Sequence, residues 1–556
     1  SRGGRSGGGR SSDSKMVMVS RRLRTLRVSW RFHRRSTIKF CHRRILGVHA
    51  VAVAAIGPEL VDRLSDISRS LVFIILLPLL LGLVTEQLAC RLRWSLQESL
   101  GLHGSGATIA GPGGQASVVD ANRLPLRTSG RWLIDRQGQR VRLRCVNWYG
   151  AHLAALVVGG LDHQPLSKLA FTVRALGFNC VRLPYSLELQ LGSAHPNAAA
   201  LKANPELINV GGMGVFDATV AALTSAKIMV IPNNHQGRAS WCCSEDDGEG
   251  LWYTSEYPEK AWLDSLNSLA ARYRNNPYVV GYDLRNELRG VPANQFQTLH
   301  SGLRGSRYAY PEWGSNRTDL DWASAAVRGA LAVTKNDPQA LLMVEGLKFG
   351  TDLSALRTGG RVHEHPDLRG RVVYEVHDYT WYHPWEFMHA WYLHWICIGW
   401  LLCLIREIWY CIRKATKIID TAAPSFTGAG GEWRYYCRAP LLTALVICWA
   451  ISFWFTSYHH YSSKMMNKWG FLLEAGEAPV WLGEFGTNGP WVTDCFHMET
   501  GESTWWQYVL RFIEEHDMDY AYWALNGDKE GEEETFGILE SDYSTLRSPW
   551  ILRMLP

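Results

Sequence analysis

From about residue 121 onward, short β-branched or apolar runs alternate with longer stretches whose apolar positions recur at helical spacing. Eight runs read as strands: "VRLRCVNWYG" (141–150), "FNCVRLPYS" (178–186), "KIMVIPNNHQ" (227–236), "YVVGYDLRNE" (278–287), "ALLMVEGL" (340–347), "RVVYEVHDY" (371–379), "PVWLGEFGTN" (479–488) and "DYAYWALNG" (519–527). Helical stretches such as "LSKLAFTVRALG" (166–177) and "KAWLDSLNSLAARY" (260–273) lie between them. Eight βα units predict an α/β fold, a (β/α)8 TIM barrel, with its chemistry at the C-terminal strand ends. Most of the runs finish there in polar or aromatic residues.

The rhythm breaks twice. Between the sixth and seventh strands, residues 384–463 hold "FMHAWYLHWICIGWLLCLI" (387–405) and "LLTALVICWAISFWFTSY" (441–458), each long enough to span a bilayer. Arg406, Arg413, Lys414, Lys417, Arg434 and Arg438 lie between them, so a transmembrane hairpin with a cytoplasmic basic loop obeys the positive-inside rule. His389 and His394 argue against that reading, and a soluble helical insert or an artefact such as a translated intron stays open. Ahead of the barrel, residues 1–70 form a basic tail expected to be disordered, with about 16 Lys/Arg against 4 Asp/Glu. Residues 71–84 ("LVFIILLPLLLGLV") read as an anchor segment, and 85–120 as a Gly-rich linker. The barrel then comprises 121–383 and 464–556. The expected location is membrane-anchored with the barrel facing the lumen or exterior, or secreted if 71–84 is cleaved. A basic run ahead of an apolar segment favours a membrane over nucleic acid.

Composition changes little beyond this. The 25 tryptophans suit sugar stacking, membrane interfaces or cores alike. Twelve cysteines include no CxxC pair, so neither a zinc site nor any other metal or cofactor is expected, while disulfides stay possible.

Two strand-end carboxylates carry candidate chemistry: Glu287 in "RNEL" and Glu484 in "GEFG". Glycosidic cleavage needs one protonated carboxyl group at the leaving oxygen and one ionised carboxylate at the anomeric carbon. Either glutamate alone reads more readily as a surface or ion-paired residue, and Arg182, His235 or Trp523 alone as structural. Their value lies in ordered company. Taken together, "CVRLPYS", "NNHQ", "LRNELRG", "VHDYTWYH", "WLGEFGT" and "YWALNG" resemble glycoside hydrolase family 5, the cellulase-like retaining enzymes. "NWYGAH", "SWCCSEDDGEG" and "GEEETFGIL" resemble its plant and protist cellulase-like branch.

The resemblance implies Glu287 as general acid/base and Glu484 as nucleophile, with the two carboxyl groups about 5–5.5 Å apart. It implies Asn286 on the sugar 2-hydroxyl, Arg182 near the nucleophile, and His235, His377 and Tyr379 around the cleaved sugar. Tyr379 or its neighbour would hydrogen-bond Glu484, and Trp523 would form the stacking floor. Trp148, Trp241, Trp381 and Trp385 are available as further aromatic platforms. The substrate is expected to be a carbohydrate: a β-glucan, a β-mannan or a membrane glycolipid such as glucosylceramide or a steryl glucoside. A catalytically inactive, membrane-anchored glycan-binding protein is the reading from another class. Arg285 is expected to pair with Asp283 deeper in the barrel and Arg289 to turn away in the loop, because a cation on the Glu287 carboxylate would oppose its acid role.

Overall fold

The computed structural model describes residues 118–192, 195–293, 307–388, 457–488 and 500–556. Its centre is a closed barrel of eight parallel strands. They are β1 (Arg144–Asn147), β2 (Cys180–Ser186), β3 (Met229–Gln236), β4 (Gly281–Asp283), β5 (Leu341–Glu345), β6 (Val372–His377), β7 (Val480–Phe485) and β8 (Asp519–Tyr522). Each lies inside one of the eight runs expected from the sequence. β4 is shorter than its pattern: ladder pairing stops at Asp283, although the Asn286 N–H still donates to the Asn234 carbonyl at 3.0 Å.

Strand alternation explains both the core and the site. Outward positions such as Val181, Leu183, Val230, Leu342 and Val376 join the main apolar core with the surrounding helices. In helix Leu166–Ala175 the buried residues Leu166, Leu169, Ala170 and Val173 form one face at helical spacing. Inward positions change character along the barrel axis. Cys145, Cys180, Met229, Ile231, Leu341, Met343, Val373, Trp481 and Ala521 fill the lower barrel, and Leu126, Leu133 and Leu143 close it from below. Two residues further along β1, β2, β5 and β6, the inward positions become Asn147, Arg182, Glu345 and Glu375, all buried. The polar cluster therefore rests on an apolar plug. A Cys145–Cys180 disulfide ties β1 to β2 at paired positions within that plug.

The β5–β6 crossover has no α-helix, only 3-10 turns at Ser354–Arg357, Val362–Glu364 and Pro366–Leu368. After β6 the chain runs through Thr380–Tyr382 and Pro384–Met388, and is described again from Ser457, where helix Tyr458–Met465 follows. These flanks belong to the barrel body, which moves the expected 384–463 boundary: Phe387 and Tyr461 are core residues, and Lys464 pairs with Glu386 at 2.5 Å. The tail, the 71–84 segment, almost all of the linker and most of both apolar spans lie outside the described residues. Among the described residues no helix is long and apolar enough to cross a membrane.

Candidate active site

Arg182, at the third position of β2, is fully buried and organises the upper barrel. Its Nε donates to Asp283 at 2.8 Å, its Nη1 to Glu484 at 2.5 Å and to Asn147 at 3.1 Å, and its Nη2 to Asn286 at 2.8 Å. Glu375 lies 3.0 Å from its Nε. One guanidinium thus holds side chains from β1, β4, β6 and β7, a set that its planar fork satisfies and a lysine could not.

His377 is the second cation. Its Nδ1 lies 3.1 Å from Glu287, 3.5 Å from Glu345 and 3.8 Å from Glu484, and its Nε2 lies 3.4 Å from Glu375. Burial opposes its charge, but Glu345, Glu484 and hydrogen bonds to Glu287 and Glu375 outweigh it and raise the imidazole well above its ordinary value. His235 and His152 are the opposite case. Burial and the surrounding cations lower both, His152 to about 3. They are neutral rings, 4.2 Å apart by centroid.

The two candidate catalytic carboxylates face each other. One oxygen each of Glu287 and Glu484, with a ring nitrogen of His377, lie within 4.8 Å of one another. Tyr379 donates to Glu484 at 3.3 Å and Tyr382 to Glu287 at 3.2 Å. Burial pushes the Glu484 carboxyl upward; His377 and Arg182 pull it back, and Glu287 adds to the rise. Below this pair, burial and Glu375 raise the Asp283 carboxyl well above the carboxylate range, against the pull of Arg182, and favour a shared proton with Glu375. Burial likewise opposes charge on Glu375, but Arg182 and His377 prevail and lower it. Gly483 makes room for this cluster: a Cβ there would sit 1.9 Å from a Glu375 oxygen.

Above the carboxylates opens a cavity of about 990 Å³ whose walls include His235, Asn286, Trp523, Trp241 and Trp381. Trp523 is backed by a parallel Tyr149 ring at 5.0 Å. Trp381, 48% exposed, stacks on Tyr379 at 4.2 Å. The "GDKEGEEE" segment forms a hairpin at the mouth, with Lys529 over the Trp241 ring at 3.5 Å.

Eight of the nine expected site residues gather here: Glu287, Glu484, Arg182, His235, Asn286, His377, Tyr379 and Trp523. Trp148 does not. β1 ends at Asn147, and the Trp148 indole turns into the main core, fully buried, with its N–H donating to the Gly159 carbonyl at 3.0 Å. The side chain of Trp385 lies outside the described residues. The arginine expectations are corrected as well. Arg285 pairs with Glu249 at 3.3 Å and donates to Asn234 rather than to Asp283. Arg289 is buried, bonded to Asp247 at 2.7 Å and to the Glu287 carbonyl at 2.7 Å. Both fasten the 244–249 stretch to the barrel mouth. Neither hydrogen-bonds the Glu287 carboxylate.

Sequence reasoning missed His152, Tyr382, the adjacent Cys242–Cys243 disulfide lining the cavity, and the buried acids Glu345 and Glu375; Asp283 lies deep in the barrel as expected, but on Arg182. Strand parity held a signal for Glu375, two residues before His377. Glu345, Glu375 and His377 are close enough to enclose a cation, but the Arg182 guanidinium already supplies that charge. The two cysteines, being oxidised, offer no thiolate.

Residues 135–529 match the model of cellulase, glycosyl hydrolase family 5. A glycosyl hydrolase 5 family protein of Chamaecyparis obtusa is 27% identical over 458 residues, 78% of this chain and 65% of the relative. An endoglucanase of Paenibacillus polymyxa is 25% identical over 430 residues, covering 76% and 84%. The catalytic domain of the major endoglucanase of Xanthomonas campestris superposes with a TM-score of 0.54 at 22% identity, covering 77% of this chain and 99% of that domain. With the family model spanning both parts of the barrel, the chain belongs to glycosyl hydrolase family 5 and is a glycoside hydrolase.

Proposed function

We propose that this hydrolase cleaves internal β-glycosidic bonds of a β-glucan by double displacement. Glu484 attacks the anomeric carbon as the glycosidic C–O bond breaks, and Glu287 gives its proton to the departing oxygen. Glu287, now a carboxylate, then takes a proton from water, whose oxygen attacks the anomeric carbon and releases Glu484. The observation that carries this reading is the close approach of the two carboxylates: one oxygen of Glu287 and one of Glu484 lie within 4.8 Å of each other, which favours the shorter separation of retaining pairs over the wider one of inverting pairs. The two carboxylates differ in their nearest partners: Arg182 and Tyr379 donate to Glu484, and Tyr382 donates to Glu287, while His377 stands between them, 3.1 Å from Glu287 and 3.8 Å from Glu484. Asn286 has its Oδ1 committed to Arg182, and its amide nitrogen, which donates weakly to the Cys242 and Cys243 sulfurs on the cavity wall, is the atom that would meet a sugar hydroxyl.

The glucan assignment is supported by the endoglucanase name of the Paenibacillus relative and by an open cavity with aromatic walls. An endocellulase of Pyrococcus horikoshii, solved with cellotetraose, shares this fold at 20% identity. The test is hydrolysis of β-glucan, β-mannan and glucosyl-lipid substrates by wild type, Glu287→Gln and Glu484→Gln, with NMR of the first product. Chain-internal β-glucan cleavage, a β anomer appearing first and loss in both variants are expected. An α anomer first would overturn double displacement. Turnover confined to glucosyl lipids would overturn the glucan, and sugar binding without turnover on any substrate would mark a glycan-binding protein.

A further inference from the structure

Glu287 has a backbone φ of +43°, in the left-handed region that glutamate rarely occupies. Such a conformation persists only where neighbours impose it. Its N–H donates at 2.8 Å to Glu345 Oε2. Glu345 closes β5, is fully buried, and is fixed through its own backbone, whose carbonyl accepts the Trp322 indole N–H at 2.8 Å. Its second oxygen, Oε1, lies 3.5 Å from His377 Nδ1, and that same nitrogen lies 3.1 Å from the Glu287 carboxylate. Glu345 therefore holds Glu287 directly at the backbone, and its Oε1 flanks the His377 ring that hydrogen-bonds the Glu287 carboxylate.

Space is kept for this. Gly350 has φ +74°, and a Cβ there would lie 2.3 Å from Glu345 Oε1 and 3.1 Å from the His377 ring. The loops after β4 and β5 are joined beside it, with the Phe349 N–H donating to the Leu288 carbonyl at 3.0 Å. The titratable and charged groups facing Glu345 are His377, Glu375, Asp283 and Arg182. Burial is the largest of these influences and raises the Glu345 carboxyl above its ordinary value, against the pull of His377 and Arg182.

We infer that Glu345 is a positioning residue for leaving-group protonation: it holds the Glu287 backbone in place by accepting its N–H and packs beside the His377 ring that meets the Glu287 carboxylate. This rests on the reading of Glu287 as acid/base. The consequence is selective. Substrates whose leaving group needs a proton depend on Glu345, and those whose leaving group departs as a stable anion do not.

The experiment measures kcat/KM, which reports the first displacement, on cellotetraose and on 2,4-dinitrophenyl β-cellobioside. Glu345→Leu is expected to lose on the order of 100-fold on cellotetraose and less than about 3-fold on the dinitrophenyl substrate, the pattern of impaired acid catalysis. Glu345→Gln, which keeps an acceptor oxygen for the Glu287 N–H, should recover most of the loss. Gly350→Ala leaves Glu345 chemically intact and crowds its Oε1, and should show the same selectivity, so the test stands if the Leu variant fails to fold. Equal losses on both substrates, or none, would overturn the proposal. Glu287→Gln separates the two readings. If it shows the leaving-group selectivity and the Glu345 and Gly350 variants do not, only the positioning role falls. If Glu287→Gln shows none, the acid/base assignment falls and takes the positioning role with it.

Discussion

Arg182 donates to Glu484 across 2.5 Å in a pair that is almost wholly buried. The nucleophile works only when ionised, and burial moves its carboxyl upward despite that cation. The acid limb of kcat/KM is therefore expected at a pH above the ordinary carboxylate range of about 4.3. Arg182→Gln removes the cation and should move this limb to still higher pH. A pH–rate profile of the two proteins checks the order. A limb that stays put in the variant would mean that Arg182 does not hold Glu484 ionised.

Arg182 also holds Asp283, Glu375, Asn147 and Asn286, so the same substitution should unfold more easily. Breaking a buried pair from one side costs about 3–5 kcal/mol. Urea unfolding of Arg182→Gln should show a loss of that size, whereas Arg238→Gln, whose pair with Glu256 is exposed, should change stability by less than about 1 kcal/mol.

Trp148 and Trp381 make a contrasting pair. Trp381→Ala removes an exposed platform and should raise KM for oligosaccharides roughly tenfold, equivalent to about 1.4 kcal/mol, with little change in Tm. Trp148→Ala empties a core site and should cost about 3–5 kcal/mol of stability while leaving KM of the surviving folded protein near wild type. Activity and thermal unfolding measured on both variants test the division.

That contrast also marks what could be read from the chain. Arg182, His377 and Glu484 were legible because the motifs that hold them, "CVRLPYS", "VHDYTWYH" and "WLGEFGT", occur in barrel order and together resemble the family, whereas each alone read as structural or ion-paired. Trp148 was not, because one residue past β1 its direction depends on the loop that supplies the Gly159 carbonyl. Arg285 and Arg289 were misplaced for a related reason. Their partners, Glu249 and Asp247, come from a loop after β3 that carries no periodicity. Glu345 ends the run "LLMVE" and read as no more than the close of a strand, since its one decisive contact is to a backbone N–H.

The Cys242–Cys243 disulfide forms part of the cavity wall, and its sulfurs lie 3.8 and 3.6 Å from Asn286 Nδ2. Opening it frees two thiols beside the amide proposed to meet the sugar. Reduction at neutral pH should lower kcat/KM reversibly, with full recovery on reoxidation. Cys145–Cys180, fully buried in the lower barrel, should stay closed in the folded protein. Thiol titration alongside the kinetics checks both points. Unchanged kinetics with two thiols titrated would mean that the sulfurs only shape the loop.

Asp283 gives the last expectation, in stability rather than rate. Burial and Glu375 raise its folded-state pKa well above the unfolded value of about 3.9. Below that value both states hold the proton and Asp283 contributes no pH dependence. As pH rises the unfolded chain loses the proton first, so folding is penalised progressively until the folded carboxyl also ionises. Asp283→Asn copies the protonated form, since its amide N–H can still donate to Glu375, and it cannot ionise in either state. Relative to wild type, its Tm should therefore climb as pH rises above about 4, where the unfolded Asp283 ionises first. A Tm difference that falls over the same range would show that Asp283 is charged in the folded barrel and that Arg182 needs its charge.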